Sequence, residues 1–172
     1  MKETPASLGP ANRLIRLTAG ALLFGALTLA ALALAQAVAP TSLAVATAAD
    51  GTVHVVDADG NSLYLFLKDT NGVSNCAADC AANWPPVVLA DAQTLPEVSD
   101  EFDAALLGTT ERADGTVQLT YNGWPLYYFV GDGRPGDTTG QGVNDVWFLV
   151  TPEGTGVGLA ADALGGGAAP QQ

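Results

Sequence analysis

The stretch that decides the fold is Leu63-Tyr64-Leu65-Phe66-Leu67-Lys68-Asp69, which returns 63 residues later as Leu126-Tyr127-Tyr128-Phe129-Val130-Gly131-Asp132. The same offset pairs Trp84 with Trp147. A fixed offset between similar segments indicates that one structural unit is present twice. Two copies are too few for a solenoid, so the sequence predicts one domain of two pseudo-symmetric repeats. Repeat one spans about 51–90 and repeat two about 114–153.

Each repeat contains a β-hairpin signal. Residues 52–56 lead through Asp59-Gly60 into the first motif, and residues 116–121 lead through Asn122-Gly123 into the second. Asp-Gly and Asn-Gly supply the positive φ angles that tight hairpin turns need, and the flanking β-branched and aromatic residues favour strands. Between the repeats, residues 99–108 have the capping and terminating residues of one short helix. The predicted fold is therefore mainly β with one short helix.

The N-terminal segment carries an export signal. Arg13 and Arg16 precede an uncharged apolar run over 17–39, and small-residue sites occur at 33–35, 35–37 and 46–48. These are the parts of a signal peptide, but the run is also long enough to span a bilayer as an N-terminal helix. Residues 1–49 are thus predicted to be a signal peptide or a membrane anchor. Either reading places the domain outside the cytoplasm, secreted or held at the cytoplasmic membrane.

The two ends of the chain frame the folded part. Residues 155–172 are rich in Gly and Ala without periodicity, which predicts a disordered tail. The domain is accordingly expected over 50–154. The whole chain has a net charge of −12, and such a surface repels phosphate backbones and anionic lipid head groups. We therefore expect no nucleic-acid partner, and membrane contact only through the N-terminal segment.

Cys76 and Cys80 are the two cysteines of the chain. In an oxidising compartment a pair this close most simply forms a disulfide. A redox-active pair and a metal or cofactor link are the alternatives. Structural zinc normally needs four ligands, and haem attachment needs a different spacing followed by His.

Several segments together carry a family resemblance. Tyr64, Phe66 and Asp69, and again Tyr127, Phe129 and Asp132, fit Y-x-[FWY]-x-x-D, and the segments ending in Trp84 and Trp147 fit the rest of the pattern. Over about 51–154 the chain resembles the predicted bacterial lipoproteins with this motif, a secreted repeat of unknown function. The resemblance implies an extracytoplasmic tandem-repeat domain and no defined activity. The chain departs from the pattern at Ala78, where the family has glycine between the cysteines, and in lacking a cysteine for lipid attachment.

Recognisable catalytic chemistry is absent from the sequence. His54 is the one histidine, and its alternating strand context predicts a solvent-facing side chain rather than a catalytic base. Oxygen ligands on glycine loops can hold calcium, which makes Asp132 and Asp137 candidate metal ligands. Asp, Asn and Gly are also the usual residues of tight turns. We expect no cofactor, with calcium as the one candidate.

The repeated motif is interpreted as structural, because a catalytic residue is needed once per site whereas a folding solution recurs. Tyr and Phe two apart share a face of a strand, and the following Asp can accept backbone N–H groups of the turn. The sequence predicts an exported envelope protein that is not an enzyme and that binds a small ligand or an envelope partner. The alternative function is an extracytoplasmic redox module that uses Cys76 and Cys80.

Overall fold

The computed structural model describes residues 39–160 and 163–164. Within them the chain forms nine short strands, one α-helix and two 3₁₀ helices (Ala104–Leu106 and Val143–Asp145). In chain order the elements are β1 (Ser42–Thr47), β2 (Val53–Asp57), β3 (Tyr64–Phe66), α1 (Asp79–Asn83), β4 (Val88–Leu89), β5 (Glu97–Val98), β6 (Leu107–Glu111), β7 (Val117–Tyr121), β8 (Trp124–Pro125) and β9 (Trp147–Leu149). The prediction of a mainly β fold with one small helix is confirmed. The predicted apolar helix of the N-terminal segment lies outside the described residues.

The strands form three small sheets, which pack around two clusters of buried side chains. β1 lies between β2 and β5, β3 pairs with β9, and β7 lies between β4 and β6 and also pairs with β8. Leu63 and Leu65 point into an aliphatic core, whereas Tyr64 and Phe66 belong to a second, aromatic cluster. This is the alternation expected of a strand. The first motif strand is therefore covered on both faces, as the apolar pattern predicts.

The two repeats match closely, although with one gap. The N–H of Val150 bonds to the carbonyl of Leu63 at 3.0 Å, and the N–H of Val87 bonds to that of Leu126 at 2.9 Å, an offset of 63. Before the hairpin turn the equivalent residues are 64 apart. Leu43 pairs with Asp57 in repeat one, and Leu107 pairs with Tyr121 in repeat two. The single offset of 63 expected from the sequence is therefore corrected to an offset with one gap. The gap arises in the hairpin turn. This turn is one residue longer in repeat one, at Gly60, than in repeat two, at Asn122-Gly123, where both residues have positive φ.

Both repeats begin earlier than the sequence indicates. β1 is antiparallel to β2 and parallel to β5, and its Leu43 is buried in the aliphatic core. Repeat two likewise opens at β6, which is antiparallel to β7. The predicted boundary at residue 50 is therefore wrong. The small apolar residues of β1 fit a strand as well as they fit the exit of a signal peptide.

The position expected for the short helix is also wrong. The helix expected over 99–108 is a single 3₁₀ turn capped by Asp103, followed by strand β6, because pairing with β7 outweighs the local helix signal. The small α-helix lies instead at Asp79–Asn83, which contains Cys80 and ends just before Trp84.

The described part of the expected tail is packed rather than disordered. The N–H of Val157 donates to the carbonyl of Leu149 at 2.8 Å, and Leu164 is buried in the aliphatic core. No helix among the described residues is long and apolar enough to cross a membrane.

His54 is also placed differently from the prediction. It is fully buried in β2, and its Nε2 lies 3.0 Å from the hydroxyl oxygen of Ser62. The hydroxyl of Ser62 in turn donates to the carbonyl of Asp137 at 2.6 Å. Both faces of β2 are covered at this position. The alternating sequence pattern therefore does not indicate which side chains are exposed.

Candidate functional site

The motif residues of the two repeats meet at a pseudo-twofold axis. The N–H of Tyr64 donates to the carbonyl of Tyr127, and the N–H of Tyr127 donates to the carbonyl of Tyr64, both at 2.9 Å. The hydroxyl of Tyr64 donates to Asp132 Oδ2 at 2.6 Å, and that of Tyr127 donates to Asp69 Oδ2 at 2.7 Å. Each tyrosine thus binds the aspartate of the other repeat. We call these four side chains the tyrosine–aspartate lock.

The second oxygen of each aspartate holds the turn that follows its own strand. Asp69 Oδ1 accepts from the N–H of Asn75 at 2.7 Å. Asp132 Oδ1 accepts from the N–H and the hydroxyl of Thr139 at 2.9 and 2.6 Å. Each aspartate therefore accepts a hydrogen bond from a backbone N–H group of its own turn, as expected. It also accepts the tyrosine hydroxyl of the other repeat.

Four aromatic rings stack through the axis. Trp84 and Trp147 are parallel, with centroids 3.9 Å apart. Phe129 stacks on the outer face of Trp84 and Phe66 on that of Trp147, each at 4.1 Å. We call this row the four-ring stack. Each phenylalanine stacks on the tryptophan of the other repeat, so the motif joins the repeats through apolar as well as polar contacts.

Burial controls the protonation of the lock. It raises the pKa of Tyr64 well above its usual value, and the hydrogen bond to Asp132 adds to this. Burial raises the pKa of Tyr127 in the same way. Both hydroxyls therefore stay protonated and donate. Burial also raises the pKa of Asp69 to about 6, against the opposing effect of the Asn75 and Tyr127 hydrogen bonds.

A cleft of about 340 Å³ opens where the two repeats meet on the Asp132 side. We call it the seam cleft. Its lining comes from both repeats: Asp57, Asp59, Asn61, Ser62, Pro85, Tyr128, Phe129, Val130 and Asp132. Three of these residues are acidic and none is basic. Val130 is 56% exposed, and Phe129 is one of the two outer rings of the four-ring stack, so the cleft also offers apolar surface.

The three acidic residues of the cleft differ in how many hydrogen bonds their carboxylates accept and in how exposed they are. Asp57 accepts four hydrogen bonds, from the N–H groups of Asp59 and Asn61, the Asn61 amide and the Tyr128 hydroxyl. In the described chain the Asp59 carboxylate has no hydrogen-bond or ion-pair partner. Asp132 is half-buried. Asp59 is therefore the carboxylate best able to face a ligand, because both oxygens of the partly exposed Asp132 already accept hydrogen bonds.

The seam differs on its two sides. At the equivalent position to Asp132, Asp69 is only 3% exposed. Where repeat one has Asp57, the strand register puts Tyr121 in repeat two. An acidic residue at the cleft is thus replaced by an aromatic one at its pseudo-symmetric counterpart. The two repeats therefore depart from pseudo-twofold symmetry at the seam cleft.

The residues considered for calcium do not form a cluster. Asp137 Oδ2 accepts from the N–H groups of Gly133 and Arg134, both at 3.0 Å, and both oxygens of Asp132 are hydrogen-bonded. Over residues 39–160 and 163–164, no group of three or more His, Cys, Asp or Glu is arranged to hold a metal ion. Asp137 thus holds a turn, and Asp132 holds a turn with one oxygen and the other repeat with its second oxygen.

Cys76 and Cys80 form a disulfide, with their Cα atoms 5.2 Å apart. Cys76 is buried within the aromatic cluster. Its carbonyl accepts a 2.7 Å hydrogen bond from Nη2 of Arg112, a buried arginine of repeat two. The disulfide thus closes the loop that leads to α1 and Trp84.

Sequence reasoning found the motif residues but not their partners. The exchange of partners across the repeats leaves one trace in the sequence, the equal Tyr-to-Asp spacing in both copies. Of the residues that line the cleft, Asp57 lies outside the motifs, Asp59 is identified only as part of a hairpin turn, and Tyr128 occupies a variable position of the repeated motif. Arg112 stands in the turn-like stretch Arg112-Ala113-Asp114-Gly115, and its burial has no signal in the sequence.

Comparison with known proteins agrees with this architecture. A family model described as a secreted repeat of unknown function matches twice, at residues 44–88 and 108–151. These segments begin inside β1 and β6, as the fold requires. No curated protein and no solved structure matches the chain significantly. The family description and the disulfide both agree with an extracytoplasmic location. The chain belongs to the family of secreted repeats of unknown function, with one copy of the repeat in each half of its domain.

Proposed function

We propose that this protein is a non-enzymatic binding module of the cell envelope, and that it takes a cationic ligand with an apolar portion in the seam cleft. The observation that carries the proposal is the lining of the cleft, in which three carboxylates surround aromatic and aliphatic surface without a basic side chain. Concave sites of this size with a few polar groups are the usual form of small-ligand sites.

Electrostatics supports a cation in this cleft. The cleft is lined by three acidic residues, Asp57, Asp59 and Asp132. None of them is in the ion pair found among the described residues, which joins Arg112 to Asp114. Like charges that share a cleft raise the local concentration of a counter-ion. An ammonium group near Asp59 and Asp132 would relieve their repulsion.

The apolar part of the lining supports a ligand larger than a bare ion. Phe129, Tyr128 and Val130 follow one another at the cleft. An aromatic face attracts cations as well as apolar groups, so an alkyl or aryl ammonium matches both halves of the lining. A basic side chain of an envelope polypeptide has the same chemistry.

Calorimetric titration with benzylammonium and butylammonium tests the proposal, with benzyl alcohol and butanol as neutral controls. We expect the amines to bind and the alcohols to bind more weakly. Asp59→Asn should weaken amine binding without loss of fold, because this side chain is exposed. Asp114→Asn, an acid outside the cleft, is the matched control. Equal binding of amines and alcohols, or no binding of either, would refute the proposal.

The alternative, a redox module using Cys76 and Cys80, is less well supported. Thiol–disulfide chemistry needs an accessible sulfur, and Cys76 is fully buried. Alkylation after mild reduction of the native protein separates the two functions. Ready labelling of both cysteines with the fold intact would favour the redox module.

A further inference from the structure

Arg112 is a buried cation that repeat one lacks. Its N–H bonds to the carbonyl of Thr116 as the N–H of Ala48 bonds to that of Thr52, so alanine occupies the equivalent position. Arg112 is only 7% exposed. A charged side chain at such a site is costly unless its donors are used.

Most of the donors of Arg112 are used. Nη1 donates to the hydroxyl oxygen of Ser74 and, at 2.7 Å, to Gln118 Oε1, and Nη2 donates to the carbonyl of Cys76 at 2.7 Å. Nε has no hydrogen-bond partner. The nearest carboxylate oxygen is Asp114 Oδ2 at 3.5 Å, on a side chain that is 58% exposed.

The edge that carries Nε and Nη2 is the edge with which arginine binds carboxylates in a two-point fork. Asp114 approaches this edge at the distance of a loose ion pair. Its other oxygen is engaged by the N–H and hydroxyl of Thr116 at 3.0 and 2.6 Å. Asp114 therefore covers the edge without completing the fork.

A recess of about 310 Å³ is lined by both Arg112 and Asp114. We call it the arginine recess. Its lining is Ser74, Ala77, Ala78, Ala81, Arg112, Ala113 and Asp114. Four of these residues are alanines, so small methyl groups form most of its wall. Ala78 has φ 49° and ψ −122°, a strained conformation for a residue other than glycine, and such strain is frequent at ligand sites.

We infer that the arginine recess is a second ligand site, which takes a small carboxylate on a short apolar body. The ligand carboxylate would complete the fork on Nε and Nη2 in place of Asp114, and its apolar body would lie against the alanines. The site is distinct from the seam cleft and prefers the opposite charge. No bond is made or broken in this binding.

The test follows the Arg112 Nε–H resonance of the full-length protein by NMR during titration with butyrate or benzoate. Butyramide and benzamide are the neutral controls. We expect the carboxylates to shift this resonance and the amides not to shift it. Asp114→Asn should tighten carboxylate binding by about tenfold, since it removes a competing like charge next to the site. Ala81→Leu should abolish binding, because the larger side chain fills the recess.

Three results would overturn the inference: no shift with either carboxylate, equal shifts with the amides, or unchanged binding in Ala81→Leu. The benzylammonium titration of Ala81→Leu shows whether that variant is folded and keeps failure of this site distinguishable from failure of the seam cleft. Circular dichroism of the same variant serves this purpose if the seam cleft binds no amine.

Discussion

Tyr64 of repeat one and Asp132 of repeat two are joined by a 2.6 Å hydrogen bond between hydroxyl and carboxylate, and its counterpart joins Tyr127 to Asp69. Neither repeat can satisfy its own motif. A buried tyrosine hydroxyl without a partner is costly, and the aspartate that satisfies it arrives from the other repeat. The motif is therefore a device for joining two repeats into one domain.

A double-mutant cycle on Tyr64 and Asp132 tests the lock. We expect Tyr64→Phe and Asp132→Asn each to lower the unfolding free energy by about 1.5 to 3 kcal/mol, the range for a hydrogen bond to a charged group. The double variant should cost less than the sum of the two, because the second change removes a group that has already lost its partner. Denaturant unfolding gives the three values, and strict additivity would show that the bond contributes nothing.

The pH dependence of stability should report on Asp69. Its pKa is 3.8 in the ordinary case and about 6 in the fold, so folding favours the protonated carboxyl. The stability contributed by Asp69 is therefore greatest below pH 3.8 and is lost as the pH rises through about 6, the pKa of Asp69 in the fold. The loss amounts to at most about 3 kcal/mol, from 1.36 kcal/mol per pKa unit.

Asp69→Asn isolates this contribution, since Asn has nearly the same shape and does not titrate. The advantage of the wild type over Asp69→Asn should shrink between pH 4 and pH 7 as Asp69 ionises. Urea unfolding at several pH values measures it, with the half-buried Asp132→Asn as the matched variant. An advantage that grows with pH would mean that the hydrogen bonds from Asn75 and Tyr127 outweigh burial.

Ala78→Gly should stabilise the protein. Ala78 has a φ of 49°, where relief of strain is worth about 1 to 3 kcal/mol, and the added chain entropy of glycine offsets about 0.5 to 1 of it. We expect a net gain of about 1 kcal/mol in unfolding free energy. Ala77→Gly, one residue earlier and outside the positive-φ region, should give a loss. A lower melting temperature for Ala78→Gly would contradict this account.

The sequence predicted the elements whose signals are local. The Asn122-Gly123 turn, the alternation of Leu65 and Phe66 between two cores and the disulfide all follow from neighbouring residues. The sequence did not predict contacts that depend on distant partners, such as the pairing of β6 with β7 that replaced the expected helix. The seam cleft was missed for the same reason, because its walls come from loops of both repeats.

The fold restricts where the N-terminal segment can be processed. The site at 46–48 overlaps β1, whose removal would expose its partners β2 and β5. We therefore expect the mature chain to begin at Gln36 or Val38, after one of the two earlier sites. Intact-mass measurement of protein from the native envelope decides this. Intact Met1 would establish the membrane anchor instead, and a start at Ala49 would show that β1 is dispensable.

The two outer rings of the four-ring stack should separate stability from binding. Phe66 is 8% exposed and stacks on Trp147, whereas Phe129 is half-buried, stacks on Trp84 and lines the seam cleft. Truncating a buried phenylalanine costs about 3 to 5 kcal/mol, so Phe66→Ala should lower the melting temperature strongly. Phe129→Ala should lower it less, because part of that ring already faces solvent.

Binding should follow the opposite order. Phe129→Ala removes apolar surface from the cleft and should weaken benzylammonium binding, while Phe66→Ala, at the other end of the stack, should leave it nearly unchanged at a temperature where both variants are folded. Asp69→Ala and Asp132→Ala complete the set. Both should reduce stability through the lock, but only Asp132→Ala should also reduce amine affinity, since Asp69 is buried away from the cleft. If all four variants bind alike, the cleft is not the amine site. If both Asp variants keep the wild-type melting temperature, the lock does not stabilise the fold, and its carboxylates would have to be explained by a ligand.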